Sequence, residues 1–482
     1  MKTTHELLTA LGLSTAAVDD KPISALSLDS RVLNEQMLWL ATRGTQYHAL
    51  DFYTPEINCA AIFYEPPYQN PPPHAIAVER LSEKVSAIAD LFYDHPAQKL
   101  WITGVTGTDG KSSLVHFIAQ ATGAAMLGTI GYGNLNALQP ASHTTPDAIT
   151  TQQQLAHFVA QGNQAVAMEI SSHALAQHRV AAVAVDVAVF TNLSRDHLDY
   201  HADMEDYFLA KAQLFAFPIK HAVINIDDPH GRRLISEHRI NSSACIWAVS
   251  AKGAHNAAAH HNVCAHDYCL HQNGVTFTLA IDDETIAVET HLLARFNLDN
   301  VLNVAACLAA QGFSLAAIAE KLNQLHGVIG RVEPISLSNQ ALAIVDYAHT
   351  AGAIESVLTG IRPHISGKLW LIFGCGGNRD RGKRALMAQA AERFADAVIV
   401  TDDNPRTEDP AAIIADVMQG FEYPEKIHVI QPREQAIHYA LAQLHAGDAV
   451  LITGKGHEDY QIIGTTKYPF SDQAVIKAWI NP

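Results

Sequence analysis

The segment Trp101 to Ser113, Trp-Ile-Thr-Gly-Val-Thr-Gly-Thr-Asp-Gly-Lys-Ser-Ser, constrains this chain more than any other. An apolar run of strand character ends in a turn with Gly104, Gly107 and Gly110 at every third position, and Ser112 to Ala121 then reads as a helix. A strand feeding a glycine-rich turn and a helix lets backbone N–H groups and a helix N-terminus wrap a phosphate. In such a loop the lysine, here Lys111, reaches the β/γ-phosphates and the next hydroxyl, here Ser112, ligates Mg²⁺. The strict P-loop spacing puts glycine where Val105 stands, so this is a variant of it. The competing reading is a glycine turn with an exposed lysine. Nucleotide binding is expected at Gly107, Thr108, Asp109, Gly110, Lys111, Ser112 and Ser113.

Around this loop the hydrophobic pattern predicts a parallel sheet. Lys99 to Thr106, Ala165 to Ile170, Val183 to Phe190 and His221 to Ile226 are apolar runs with helical stretches between them, the pattern of buried parallel strands. After a Gly/Arg break at 327–331 the alternation restarts with Leu342 to Val345, Leu369 to Phe373, Ala397 to Val400, Ile427 to Ile430 and Ala449 to Ile452. Most of these runs end in polar or glycine-rich turns, where α/β sheets bind ligands. The first hundred residues mix short strands such as Met37 to Thr42 with turns, and prolines 66, 67, 71, 72 and 73 mark a loop. The chain has 482 residues, enough for roughly three domains at about 150 residues each. No short internal repeat is present.

Composition removes several classes of function. With 48% hydrophobic and 17% charged residues the chain has ample core material. A net charge of −17 opposes nucleic-acid polymers and anionic membrane surfaces, although a local basic pocket stays open. The six cysteines are too scattered for a disulfide framework and fit a reducing compartment. No signal peptide is read at the N-terminus, and no apolar run reaches the roughly 18 residues of a membrane span. A cytoplasmic location is expected.

Two further stretches carry chemistry. Met168-Glu169-Ile170-Ser171-Ser172-His173 ends one strand, and Thr191-Asn192-Leu193-Ser194-Arg195-Asp196-His197-Leu198-Asp199-Tyr200-His201 follows another. Alone, each is more often a solvated loop; at the same sheet edge as the phosphate loop they become candidate metal ligands. His255, His260, His261, Cys264, His266 and Cys269 suggest zinc by composition but lack paired knuckle spacing. That stretch is read as a variable surface insertion.

Taken with Asn300, Asn303, Gly330-Arg331-Val332-Glu333, Asp346-Tyr347-Ala348-His349-Thr350, Asp403-Asn404-Pro405-Arg406 and Gly454-Lys455-Gly456-His457-Glu458, these segments closely resemble the Mur ligases, the ATP-dependent amide-forming enzymes of peptidoglycan synthesis. Within them the pattern resembles the branch that adds the third peptide residue. The likeness runs from Asp29-Ser30-Arg31 to Glu458. It implies an α/β chain of three domains: 1–98 binding the UDP substrate, 99–331 a central P-loop-type parallel-sheet ATPase, and 332–482 a Rossmann-like domain for the amino acid. The implied partners are ATP, UDP-N-acetylmuramoyl-L-alanyl-D-glutamate and meso-diaminopimelate, with no nucleic acid, no membrane span and a monomeric chain. The γ-phosphate would pass to the free side-chain carboxylate of D-glutamate, and the amine of diaminopimelate would attack the acyl phosphate.

By the same resemblance, Lys111 and the loop amides hold the phosphates. Ser112 and Glu169 help hold Mg²⁺, His197 ligates a second Mg²⁺, and Lys211 is carbamylated by CO₂ so that it too serves the metals. Asn300, Asn303, Arg331 and Asp346 fall on the nucleotide side, with Asp346 accepting from ribose hydroxyls. Leu28, Ser30, Thr45, Gln46, Tyr47, Thr144, Thr145, Ser171, Gln177 and Arg179 match the UDP-peptide positions. Arg379, Asp403, Asn404, Pro405, Arg406, Gly454 and Glu458 match those for diaminopimelate, whose distal carboxylate an arginine fork complements. Three positions depart from the family pattern: Asp109 and Ser112 replace asparagine and threonine, and Ala351 replaces a proline. An aspartate so close to phosphate is expected to turn toward Mg²⁺ or solvent.

The alternatives are a lysine-adding, a D-alanyl-D-alanine-adding or a folylpolyglutamate-forming relative, and, from another class, a P-loop regulatory NTPase. Asp403-Asn404-Pro405-Arg406 disfavours the first group. The second leaves Arg379, Arg406 and Glu458 without a task.

Overall fold

Runs such as Val-Ala-Val-Phe at 187–190 and Leu-Trp-Leu-Ile-Phe at 369–373 have no polar alternate position, so they bury both faces, and every residue in both runs is buried. In the computed structural model, which describes residues 2–481 apart from Ala17, Thr45 and Ser142, they form the centres of two parallel sheets. By packing, the chain divides into two units. The first is Met1–Val249 with Ala254–Asn262 and Ala306–Gly312; the second is Ser250–Gly253, Val263–Ala305 and Phe313–Pro482.

The first unit carries two sheets. A four-stranded parallel sheet runs in the order Ala25–Ser27, Met37–Ala41, Ala61–Tyr64, Ala75–Ala77. Its core of Leu26, Leu38, Leu40 and Phe63 also takes in Ala148 and Ile149 from the helix Ala148–Ala160. The expected N-terminal domain therefore shares a core with the region that follows it. Next comes a larger parallel array in the order Cys245–Ser250, His221–Asn225, Val187–Phe190, Trp101–Thr106, Ala165–Glu169, Ala125–Gly128, with Gly131–Gly133 antiparallel at its end. The phosphate-loop strand thus lies between the two strands whose ends carry Glu169 and Thr191. Parallel strands deliver all three ends to one edge.

Helices return the chain between these strands, and short polar side chains start several of them. Asp147 caps Ala148–Ala160 by accepting from the N–H groups of Ile149 and Thr150, and Asp203 caps Met204–Ala216 by accepting from Asp206 N. Gly123, at φ 71°, closes Lys111–Thr122 in the left-handed conformation that ends many helices.

The second unit holds a six-stranded sheet ordered Glu333–Ser336, Leu342–Asp346, Ala449–Thr453, Leu369–Phe373, Ala397–Val400, His428–Val429. All neighbours are parallel except the first pair. A long antiparallel hairpin pairs His261–His271 with Gly274–Ile281, which then pairs with Glu284–Thr290. The surface insertion expected at His255 to Cys269 is corrected here. His255 and His260 are exposed, but from His261 onward the segment is a strand with Val263, Cys264 and Ala265 buried. The polar histidines conceal an ordinary sheet segment.

One ion pair organises the end of the second sheet. Arg433, on the helix Arg433–Gln443, and Asp472, at the start of the helix Asp472–Ile480, are fully buried and paired in a bidentate fork at 2.7 Å. Arg433 also donates to the carbonyl of Thr453 at 2.8 Å, the last residue of a central strand. Removing one partner strands a buried charge. Asp472→Ala is expected to destabilise this unit by about 3–5 kcal/mol, read as a lowered denaturant midpoint, whereas substituting the exposed Asp409 shifts it far less.

Candidate active site

The phosphate loop is held open by contacts to the Thr191–Ser194 segment. Thr108 N donates to Asn192 O at 2.9 Å and Asp109 N to Asn192 Oδ1 at 2.9 Å, while Thr191 Oγ1 donates to Asp109 O at 2.8 Å. Gly107 sits at φ 151°, where a Cβ would overlap the Thr191 hydroxyl, so no other residue fits. Gly110, at φ 82°, offers the helix Lys111–Thr122 no side-chain cap. The first N–H groups, around the partly exposed Ser112 and Ser113, are therefore available to an anion. Asp109 is exposed, and its carboxylate accepts from Ser194 Oγ at 3.1 Å, so its charge is turned to one side of the loop.

Two lysines converge on one oxygen. Lys111 Nζ donates to Gly107 O at 3.0 Å and to Thr108 O at 2.9 Å, and Lys211 Nζ donates to Gly107 O at 2.7 Å. Lys211 is buried and lies against the Tyr207 ring, 4.4 Å from its centroid. Burial and the Lys111 charge hold its amine well below the ordinary value of 10.5. Tyr207 is itself pushed up to about 12 by burial and shares a hydrogen bond with Thr108.

His197 has a left-handed backbone at φ 54°, its N–H donating to Asp196 Oδ1 at 2.8 Å. Its ring stands edge-on to His173 at 5.0 Å and to Tyr207 at 5.9 Å. Burial lowers its pKa, which favours the neutral imidazole. Glu169 is buried at the end of its strand, where it accepts from Thr129 N at 2.7 Å and Thr129 Oγ1 at 3.3 Å. A Cβ at Gly128 would overlap this carboxylate, so the glycine makes its cradle. Among the described residues no three His, Cys, Asp or Glu side chains gather into a ready-made metal centre.

Five expected UDP-side residues form one network. Thr145 Oγ1 donates to Glu169 O at 2.8 Å and accepts from Ser171 N at 3.0 Å; Arg179 Nη1 donates to Thr145 O at 2.9 Å and Arg179 Nε to Gln177 Oε1 at 3.0 Å. Thr144 Oγ1 accepts from Thr129, the residue that also holds Glu169. Leu28, Ser30, Gln46 and Tyr47 belong to the N-terminal sheet region, apart from this network. Ser30 lines a cavity of about 500 Å³ there, and Tyr47 is exposed edge-on to Phe52. Thr45 lies outside the described residues.

In the second unit the residues expected on the nucleotide side are largely occupied by their own surroundings. Asn300 Nδ2 donates to Asn297 Oδ1 and Asn303 Nδ2 to Asp299 O, both within the helix Arg295–Ala310, leaving Asn303 Oδ1 buried without a partner. Arg331 lies over the Tyr347 ring at 4.8 Å. Asp346 accepts from Val332 N at 2.8 Å and Ala348 N at 2.7 Å, one bond to each oxygen. Burial raises its pKa, against the pull of Arg331 and these two N–H groups.

Three adjacent parallel strands, Ala449–Thr453, Leu369–Phe373 and Ala397–Val400, bring the residues expected to take the amino acid to one edge of the second sheet. Asp403, Asn404 and Glu458 surround a residue the sequence reading missed, Lys455, which is fully buried. Its Nζ lies 3.3 Å from Asn404 Oδ1, 3.4 Å from Glu458 Oε2 and 3.6 Å from Asp403 Oδ1. Asn404 Nδ2 donates to Glu458 Oε2 at 3.0 Å, and Gly454 packs beside Asp403. Burial pushes the Asp403 carboxyl up, with Arg433 and Lys455 pulling it back. Arg406, at φ 51°, donates from Nη1 to Gly377 O at 2.8 Å, and Arg379 is exposed two residues beyond that glycine. Lys455 stands inside the segment Gly454-Lys455-Gly456-His457-Glu458, so its position was legible in the chain. Arg433 and Asp472 lie on helices without any motif.

This arrangement has close relatives. Residues 105–309 match the Mur ligase middle domain, and residues 330–456 match the Mur ligase, glutamate ligase domain. A curated protein of Ectopseudomonas mendocina named UDP-N-acetylmuramoyl-L-alanyl-D-glutamate--2,6-diaminopimelate ligase is 43% identical, with 95% of each chain covered. A solved structure of a protein with that name is similar at a TM-score of 0.71 and 35% identity, again over 95% of each chain. The MurF ligase of Thermotoga maritima in complex with ADP shares the fold, with a TM-score of 0.61 at 16% identity over 89% of this chain and 93% of that one. The chain belongs to the Mur ligase family.

Proposed function

We propose that the chain is an ATP-dependent ligase that joins meso-2,6-diaminopimelate to the D-glutamate side-chain carboxylate of UDP-N-acetylmuramoyl-L-alanyl-D-glutamate, in peptidoglycan synthesis. The observation that carries this reading is the similarity to relatives of that name over 95% of both chains. In this reading residues 1–98 serve the UDP moiety, 99–331 the ATP chemistry and 332–482 the amino acid.

The chemistry follows from charge. A carboxylate resists amines until one oxygen becomes a good leaving group, and transfer of the γ-phosphoryl group supplies it. Lys111 and the N–H groups at the start of the helix Lys111–Thr122 take the phosphates, since that helix terminus has no side-chain cap of its own. Ser112, Glu169, His197 and Lys211 would hold Mg²⁺, which when bound neutralises phosphate charge. The donor set fits only if Lys211 is not an ammonium, because two cations on the Gly107 carbonyl repel a metal as well as each other. The buried amine is kept in the neutral form that attacks CO₂: its lone pair adds to carbon, a proton leaves, and a carboxylate-ended side chain results. Oxygen donors from Ser112, Glu169 and a Lys211 carbamate, with one imidazole from His197, leave places for the waters and phosphate oxygens that Mg²⁺ keeps as ligands.

On the amino-acid side, Asp403 and Glu458 present carboxylates suited to an ammonium, and Asn404, whose Oδ1 accepts from Lys455 and Ile462 N, holds Glu458 in place through its Nδ2. Arg406 and Arg379 present forks suited to a carboxylate, so diaminopimelate fits where lysine, which lacks the distal carboxylate, leaves the arginines unpaired.

Phosphate release tests this reading directly: it should require both the UDP-dipeptide and diaminopimelate, and release from ATP alone at the same rate would sink it in favour of a regulatory NTPase. Lys111→Ala is expected to lower turnover by about 100- to 1000-fold. Arg406→Ala should raise the KM for diaminopimelate by about 10- to 100-fold with little change for ATP, and equal effects on both would remove its selective role. For Lys211, activity lost in CO₂-free buffer should return with bicarbonate, and Lys211→Ala should recover partly with added formate or acetate. In CO₂-free buffer the folded chain also binds the Lys211 proton less readily than the unfolded chain does, so this group makes stability rise with pH up to about 10.5. Comparing the denaturant midpoint of the wild type and Lys211→Met across pH 7–10 should show a shallower slope in the variant.

A further inference from the structure

We infer that Glu408, anchored by the buried Arg384, is a positioning residue that sets the selectivity of the amino-acid site by locking the loops of Arg379 and Arg406 into one frame, an inference that rests on the proposed contact of Arg406 with diaminopimelate.

Both arginines stand on irregular backbone. Arg379 is in the segment after the strand Leu369–Phe373, and Arg406 in the segment after its neighbour Ala397–Val400. Asn378 and Arg406 both have left-handed backbones, at φ 53° and 51°, which non-glycine residues keep only where the surroundings fix them. Here those surroundings are each other. Gly377 N donates to Asn404 O at 2.9 Å, and Arg406 Nη1 donates back to Gly377 O at 2.8 Å. Asn378 Oδ1 accepts from Thr407 N at 3.2 Å and Thr407 Oγ1 at 2.9 Å. A Cβ at Gly377 would overlap the Pro405 carbonyl, so the two backbones touch directly.

Glu408 closes this interlock. Its carboxylate accepts from Asn378 N across the gap between the loops and from Arg384 Nη2, at 2.9 Å on one oxygen and 3.1 Å on the other. Arg384 lies on the helix Gly382–Phe394, is fully buried, and donates from its other amino group to Asp416 at 2.8 Å. A buried guanidinium divided between two carboxylates has little freedom to swing. Arg384 thereby holds Glu408, Glu408 holds the N–H of Asn378, and the carbonyl just before it, that of Gly377, aims Arg406. Both oxygens of Glu408 are engaged by protein donors, so it acts through the arginines.

The consequence for selectivity is geometric. A guanidinium recognises a carboxylate through two parallel hydrogen bonds, and a small rotation forfeits one of them while leaving a diffuse positive charge. A loosened frame would therefore cost diaminopimelate more than it costs a substrate with no distal carboxylate.

The test uses the full-length enzyme and three variants: Glu408→Gln, Asn378→Gly, which keeps the left-handed backbone but deletes the acceptor of Thr407, and Arg406→Ala as reference. KM and kcat are measured for diaminopimelate, L-lysine and ATP, with the denaturant midpoint alongside. Glu408→Gln is expected to raise the KM for diaminopimelate about tenfold, to leave the KM for ATP and kcat within about twofold, and to narrow the preference for diaminopimelate over lysine. Asn378→Gly should shift the same quantities in the same direction and, being backbone-compatible, keeps the test available if Glu408→Gln folds poorly. An unchanged KM for diaminopimelate in both variants, with Arg406→Ala strongly affected, overturns the interlock alone. Uniform loss across all three substrates overturns it as well, because that marks a general structural role. If Arg406→Ala leaves the KM for diaminopimelate unchanged, the reading of Arg406 fails and takes the inference with it.

Discussion

The carbonyl oxygen of Gly107 accepts from Lys111 and Lys211 at once, and much of the first unit is arranged around that fact. Two ammonium groups on one oxygen repel each other, and burial makes that repulsion more costly. Lys211 is buried against Tyr207, which lowers its pKa, while Lys111 is half-exposed at the helix start. The loop that presents the carbonyl depends in turn on Gly107, whose missing Cβ leaves room for Thr191.

Parallel strands make that arrangement possible. Glu169, the phosphate loop and Thr191 leave three neighbouring strands at the same edge, and the residues expected to take the amino acid leave three neighbouring strands of the second sheet in the same way. Much of this was legible in the chain. Runs without polar alternation identified the strands, and the turns after them identified the edges. Boundaries moved little: the run from Val183 begins as a strand only at Val187, because Ala184 and Val185 still belong to the connection. The loops bearing Lys111, Glu169, His197 and Arg406 carry unusual residue types at fixed spacing, so a linear reading reaches them.

What stayed hidden depends on contacts distant in sequence. Nothing around Arg433 or Asp472 announces a buried ion pair, because each sits in an ordinary amphipathic helix and the pairing exists only after both helices pack. Asn300 and Asn303 have the right identity for ligand contacts, yet their amide nitrogens bond within their own helix, an orientation no periodicity encodes. Asp346 spends one bond from each oxygen on backbone N–H groups and so also ties the chain at 332 to that at 348. Histidines at 261, 266 and 271 masked a strand whose buried run, Val263 to Ala265, is only three residues long.

The allocation of these sites along the chain has an evolutionary side. Lys111, Lys211 and Glu169 belong to the first packing unit, whereas Arg379, Asp403, Asn404, Arg406 and Glu458 belong to the second. In the proposed reading, mutations that retune which amine is accepted can accumulate in loops of one sheet while the groups that activate the carboxylate are left untouched. Under that division of roles, a change of incoming amine needs substitutions only at turn residues of the second unit, with the ATP-consuming machinery of the first unit unchanged.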